Sequence, residues 1–281
     1  MKIFLVTINP LDVFLWTLRR NEKDVVNLYS TLTPVMQLTT GGSMLNFGLW
    51  SEQNNTPLSA QNNLCSHFGT LCEFENAKNV VDVGSGLSAP AIFWTNKYPD
   101  LKLHCVNTNY KQLVYSGPKK NIEFLNSSST KLPFVDNSVD RVLALESAQH
   151  FRPLEDFISE SKRILKKQGL LVLAIPVTLE TSSLTKLGIL KFTWSSEHYV
   201  LENVKNLVIS NGFKISEEKL IGNDVYEPLA NYYIEHRSSL QKLILKKYPK
   251  YVESILYKSM LKMKEASQKK FIDYALLKYT L

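Results

Sequence analysis

The chain has 281 residues, 44% of them hydrophobic, enough to bury a large core as one domain with extensions, which excludes a disordered or fibrous class. The net charge of +7 is local: from His236 to Leu281 there are 11 Lys and Arg against three acids, +8, which leaves 22 against 23, or −1, for the first 235 residues. No run reaches the ~18 apolar residues of a membrane span, and the three cysteines, Cys65, Cys72 and Cys105, lack metal-ligand spacing and suit a reducing, cytoplasmic compartment.

Met1–Ile8 is mildly like a signal sequence, but Pro10 and Asp12 interrupt its apolar run and no small-residue cleavage site follows. It reads as an ordered segment packed on the domain. Val25, Leu28 and Leu32 recur at helical intervals, so one or two short helices are expected over Asn21–Met36. A glycine-flanked aromatic loop, 41–50, follows; it forms either a clamp on core helices or a pocket wall. Ser59–Phe74 is a helical stretch.

Next comes the stretch around which the chain is organised, Asn79-Val80-Val81-Asp82-Val83-Gly84-Ser85-Gly86-Leu87-Ser88. Valines around one acid, then two close glycines, predict a buried strand that ends in a tight turn, with Ser88 capping the next helix. Glycines at 84 and 86 allow positive φ and remove Cβ atoms that would hold a ligand off the backbone. The helix start adds free N–H groups, so the turn is a small-molecule cradle. Gly84-x-Gly86-x-x-Ala89 also satisfies the dinucleotide fingerprint. That fold, however, usually begins near its first strand and places an acid about 20 residues on, where this chain has Asn107.

Further strands are expected at 101–106, 121–125, 138–145 and 170–175, with helices at 89–97, 110–115 and 153–166 between them. This alternation predicts a Rossmann-like α/β fold whose mostly parallel sheet carries crossover helices on both faces, with ligands beyond the carboxyl ends of the strands. Asp82, Gly84, Asn107, Ser128 and Glu146 fall at those ends. The pattern loosens over 177–196 and resumes as a helix at 200–210 and a strand at 213–220. A helical insertion then precedes a last strand at 271–279. The organisation is therefore a helical lid segment (1–76), a core (77–222), a helical cap insertion (223–268) across the sheet end, and a final core strand (269–281). The basic C-terminal region attracts nucleic acid, or an anionic membrane surface weakly, or is only a solvated helix face.

With these pieces in register, the chain resembles the class I S-adenosylmethionine-dependent methyltransferases over roughly 41–175. It is most similar to small-molecule and lipid enzymes: macrolide O-methyltransferases, tocopherol and sterol C-methyltransferases, and phthiotriol-type methyltransferases. The carriers are Val80–Gly86, Leu132-Pro133-Phe134-Val135-Asp136-Asn137-Ser138-Val139-Asp140, Glu146-Ser147-Ala148-Gln149-His150-Phe151, Leu165-Lys166-Lys167-Gln168-Gly169, and Leu45-Asn46-Phe47-Gly48-Leu49-Trp50. The resemblance implies a seven-stranded sheet and S-adenosylmethionine held by Asp82, Gly84, Ser85, Gly86, Asn107, Thr108, Gln112, Ser128, Ser129, Thr130, Leu145 and Trp50. Departures stand beside it. Asn107 replaces the ribose acid, though its amide oxygen can accept one bond; Ser128-Ser129 replace an Asp-Ala pair; Leu49 replaces Tyr.

Methyl transfer from a sulfonium requires chiefly alignment and exclusion of water, and no metal. For a hydroxyl acceptor, His150 is the expected base, with Glu146 orienting acceptor or cofactor. The predicted activity is methylation of a hydrophobic small molecule or lipid. A non-catalytic S-adenosylmethionine-binding protein and an RNA methyltransferase are the alternatives. Glu146-Ser147-Ala148-Gln149 is not the Asn/Asp-Pro-Pro-aromatic sequence of base-amino methylation, so nucleic acid is disfavoured.

Overall fold

A computed structural model describes residues 8–194 and 196–281. The segment expected to pack as an ordered N-terminus lies outside them except for Ile8, which is buried. Seven strands form one sheet, β1 (Asn79–Val83), β2 (Lys102–Val106), β3 (Ile122–Leu125), β4 (Val139–Leu145), β5 (Leu165–Thr178), β6 (Lys214–Leu220) and β7 (Ile272–Thr280), in the order β3-β2-β1-β4-β5-β7-β6. The first five are parallel, while β7 runs antiparallel between β5 and β6. Val80, Val81 and Val83 are buried on both faces of the sheet, which explains why β1 reads as a continuous apolar run. β6 is the opposite: every residue of Lys-Ile-Ser-Glu-Glu-Lys-Leu is exposed, a charged edge that discourages pairing with a second sheet.

Helices cover both faces. α6 (Leu154–Ile164) and α8 (Leu201–Ser210) pack on one side through Phe157, Ile158, Val204 and Val208, among Val142, Leu171 and Leu173. On the other side lie α3 (Pro57–Leu71) and α4 (Ala89–Lys97), with Leu64, Phe68 and Trp94 against Val80 and Leu103. The insertion is three helices, α9 (Gly222–Glu235), α10 (Arg237–Leu245) and α11 (Lys250–Gln268). It does not simply lie across the sheet end. Tyr226, Ala230, Met263 and Ala266 share the core of Val172, Ala174 and Tyr274, so α9 and α11 pack on the sheet face, and α10 meets the N-terminal helices. The apolar spacing was legible, but not the surface that it would cover.

The expected helical stretch at 21–36 is one helix, α2 (Glu22–Thr40), continuous through Pro34 and capped by Asn21, whose side chain accepts from Asp24 N at 3.0 Å. Before it stands α1 (Pro10–Arg19), which the sequence reading did not anticipate. Two short helices, α5 (Tyr110–Leu113) and α7 (Leu190–Thr193), complete the set.

Candidate active site

The carboxyl ends of β1, β2 and β4 meet α2 and the 41–56 loop around a cavity with about 980 Å³ of space between atoms, its open mouth included. Its floor is backbone. Gly84 (φ 77°) and Gly86 (φ 56°) hold left-handed conformations, and Val83 to Leu87 line the space. The two glycines do different jobs. A Cβ on Gly84 would lie 2.4 Å from Ser147 Cβ, so this glycine exists for the packing of β1 against β4, where Ser147 Oγ donates to Val83 O at 2.6 Å. A Cβ on Gly86 would meet only Leu45 Cδ1, at 3.3 Å. Ser88 does not cap α4 with its side chain; it is left-handed (φ 58°), and its hydroxyl lies 3.3 Å from Ser85 Oγ.

Asp82 sits one residue behind the cavity rim, buried, and accepts no hydrogen bond from a described residue. Burial pushes its carboxyl up to about 7. Asn107 ends β2 inside the cavity, but its amide is engaged: Oδ1 accepts from Asn109 N at 3.0 Å, and Nδ2 reaches Gln112 Oε1 (3.1 Å) and Gly86 O (3.2 Å). One lone pair of Oδ1 remains for a ligand hydroxyl. Gln112, also buried, passes the network to α2 by donating to Thr33 Oγ1 at 3.0 Å. Thr108, Ser129 and Leu145 line the cavity as well.

Besides Asp82, three expected contact residues lie outside the cavity lining. Trp50 is buried against the Tyr232 ring with Nε1 donating to Phe47 O at 3.0 Å; it braces the loop and does not line the cavity. Ser128 turns its hydroxyl to Glu22 of α2 and to Thr130 Oγ1. Thr130 belongs to an outer cleft with Asn21, Glu22, Lys23, His150 and Arg152. Sequence reasoning placed Ser128 through Thr130 by register, whereas α2 decides which of those side chains face inward.

Glu146 leaves β4 in a left-handed conformation (φ 51°) with its side chain in the cavity wall. One oxygen, Oε1, accepts from Phe47 N (2.8 Å) and from Tyr274 OH (2.9 Å), tying loop to sheet. Burial overrides these bonds and raises the carboxyl to about 8, so it is largely protonated at neutral pH. His150 lines both the cavity and the outer cleft. Tyr29 OH lies 2.8 Å from its Nε2, and burial raises the Tyr29 phenol, which keeps its proton. Gln149 Nε2 donates to Glu146 O at 2.7 Å and lies 3.3 Å from His150 Nε2. An amide nitrogen can only donate, so the Gln149 contact suits a Nε2 without a proton, whose single lone pair Gln149 and Tyr29 OH would share.

Sequence reasoning missed Tyr29 and Ser127; of the 41–50 loop, left open as clamp or pocket wall, it singled out Trp50, whereas Leu45 and Asn46 line the cavity. Asn46 lines the cavity with a buried Oδ1 that has no partner among the described residues. An orphaned acceptor, the unpartnered Asp82 carboxyl and a turn free of Cβ atoms at Gly86 suit a ligand with a cationic, amino-acid-like end, as S-adenosylmethionine has.

Residues 81–173 match the family described as a methyltransferase domain. The chain is 26% identical over 264 residues to the erythromycin 3''-O-methyltransferase of Saccharopolyspora erythraea, covering 86% of this chain and 83% of that one. Over 98 residues it is 34% identical to the sterol 24-C-methyltransferase ERG6B of Gibberella zeae, covering 32% of this chain and 26% of that one. Among solved structures, the [4+2]-cyclase SpnF superposes with a TM-score of 0.78 at 17% identity, covering 92% of this chain and 96% of that one, a likeness of fold alone.

Proposed function

We propose that this chain, whose residues 81–173 match a methyltransferase domain, is a class I S-adenosylmethionine-dependent methyltransferase that methylates a hydroxyl group of a hydrophobic small molecule or lipid, with His150 as the base. The observation that carries this reading is the position of His150, which lines both cavity and outer cleft with its Nε2 2.8 Å from Tyr29 OH. When bound, S-adenosylmethionine supplies an electrophilic methyl group on a sulfonium. Ser85, Gly86 and Asn46 would hold its amino-acid end, Asn107, Thr108 and Gln112 its ribose, and Ser129 and Leu145 its base, with Asp82 behind the turn as the counter-charge.

The remaining work falls to the protein's own groups. α2 and the 41–56 loop wall part of the cavity and reduce its exposure to water. Glu146, neutral and committed at Oε1, positions the loop and takes no proton during turnover. His150 Nε2 takes the acceptor's hydroxyl proton, either directly or through Tyr29 OH, which would give its own proton to Nε2 as it takes the acceptor's. The macrolide O-methyltransferase relative acts on a hydroxyl, which supports oxygen as the acceptor atom. Three buried free cysteines support a reducing, cytoplasmic setting. No helix among the described residues is long and apolar enough to cross a membrane.

The test is labelled methyl transfer against a cellular lipid and metabolite extract, followed by single-turnover rates with saturating cofactor from about pH 5.5 to about 9, a range that brackets imidazole titration. His150→Ala should lose on the order of 10²–10⁴-fold in rate, and the acidic limb of the profile should flatten. Rates of His150→Ala and His150→Gln within about threefold of wild type would remove the base assignment and leave alignment as the source of rate.

A further inference from the structure

α1 is apolar on more faces than its packing uses. Val13, Trp16 and Thr17 turn inward, while Leu11, Phe14, Leu15 and Leu18, spaced i, i+3, i+4, i+7, are 70%, 47%, 43% and 50% exposed. Phe14 stacks on Phe192 of α7, itself 42% exposed, so the stripe extends onto a second element. A short helix that is apolar nearly all round is ordinarily covered.

Cations adjoin it. Ile8, at the start of α1, shares a small core with Ile244, Tyr248 and Val252, and Tyr251 OH donates to Ile8 O. That places the α10–α11 corner beside α1, with Lys242, Lys246, Lys247 and Lys250 exposed and in no ion pair among the described residues. Leu243 and Leu245, 37% and 40% exposed, lie among these lysines. The nearby acids do not neutralise them: Asp12 is alone on α1, and Glu253 is buried against Arg237.

We propose that the exposed stripe of α1 and α7, with the lysines of the α10–α11 corner, docks on an anionic phospholipid surface. Apolar side chains enter the acyl boundary and the lysines meet the headgroups, as for an interfacial helix. α1 packs on α2, whose Glu22, Val25, Val26 and Tyr29 line the cavity, so docking would set the covering of the active site against the lipid phase. This deepens the reading of a lipid-directed methyltransferase and rests on it for its purpose.

The experiment is sedimentation of the full chain with vesicles of phosphatidylcholine alone or with about one-third phosphatidylglycerol, at low and at roughly 0.5 M salt. Wild type should bind the anionic vesicles, and salt should release it. Lys246→Gln/Lys247→Gln/Lys250→Gln should weaken binding about fivefold per charge. Leu11→Ser/Phe14→Ser/Leu15→Ser/Leu18→Ser should weaken it at least about tenfold. None of these residues lines the cavity, so calorimetric affinity for S-adenosylhomocysteine should be unchanged in both variants; its loss in wild type as well would count against the proposed function and leave the docking result standing. Equal or no sedimentation with both vesicle types overturns the proposal, as does binding that survives the serine variant. A concentration-dependent dimer that the serine variant dissociates, without vesicle binding, would assign the stripe to a second copy. Retention on transfer RNA without vesicle binding would assign the lysines to nucleic acid. Either result overturns the lipid surface.

Discussion

At the Val83–Leu87 turn the cavity wall is main chain, drawn from one short stretch and shaped by two left-handed glycines. The rest of the wall includes side chains that arrive from distant segments: Tyr29 from α2, Asn46 from the loop, and Glu146 from β4, braced by Phe47 N and by Tyr274 of β7. The first wall depends on backbone geometry and tolerates no Cβ at Gly84; the second depends on hydrogen bonds among groups up to 128 residues apart. The difference teaches that a backbone cradle can be a local property of sequence, whereas a wall of side chains exists only once the chain has folded.

The sharpest contrast lies between rate and stability. Tyr29→Phe removes the hydroxyl 2.8 Å from His150 Nε2 and should lower single-turnover rate about 10-fold or more if it relays the proton, yet leave the affinity for S-adenosylhomocysteine nearly unchanged. A rate equal to wild type would place His150 in direct contact with the acceptor. On the opposite wall, Gly84→Ala should destabilise the fold by about 2–6 kcal/mol, combining left-handed strain with overpacking on Ser147. Chemical denaturation measures this. In Gly84→Ala/Ser147→Gly the contact is relieved and the strain remains, so recovery should be partial; full recovery would show that φ at 84 costs nothing.

Glu146 gives a pH signature. Its folded carboxyl titrates at about 8 against an ordinary 4.5, so the folded state holds the proton more tightly. Its contribution to stability is fully present below about pH 4.5 and is lost as pH rises through about 8. Melting temperature should therefore fall by roughly 2–4 °C or more between about pH 5 and about 8.5. Glu146→Gln should flatten that fall, leaving the part that Asp82 contributes up to about pH 7. An unchanged slope in Glu146→Gln would show that its burial does not govern the profile. The smallest effect is expected at Ser128, whose hydroxyl is held by Glu22 and Thr130. Ser128→Ala should shift affinity for S-adenosylhomocysteine by less than about threefold, whereas Ser129→Val, inside the cavity, should weaken it more. Calorimetry of the two variants compares them directly.

The α/β class, the order of elements along the chain, the glycine turn and a cavity at the carboxyl ends of β1, β2 and β4 were all legible in the amino-acid sequence. Each rests on interactions within a few residues: an apolar run, a turn that demands positive φ, a helical repeat. What tertiary structure decided is of another kind. Trp50 braces a loop, Ser128 faces α2, Gly84 serves Ser147, and Glu146 is neutral, because each outcome depends on which distant side chain fills the neighbouring space. Burial and desolvation are sums over the packed surroundings, and periodicity carries no record of which surroundings those will be. The apolar stripe of α1 lies at the same boundary: its spacing can be read along the chain, but only folding left Leu11, Phe14, Leu15 and Leu18 in solvent beside the lysines of the α10–α11 corner.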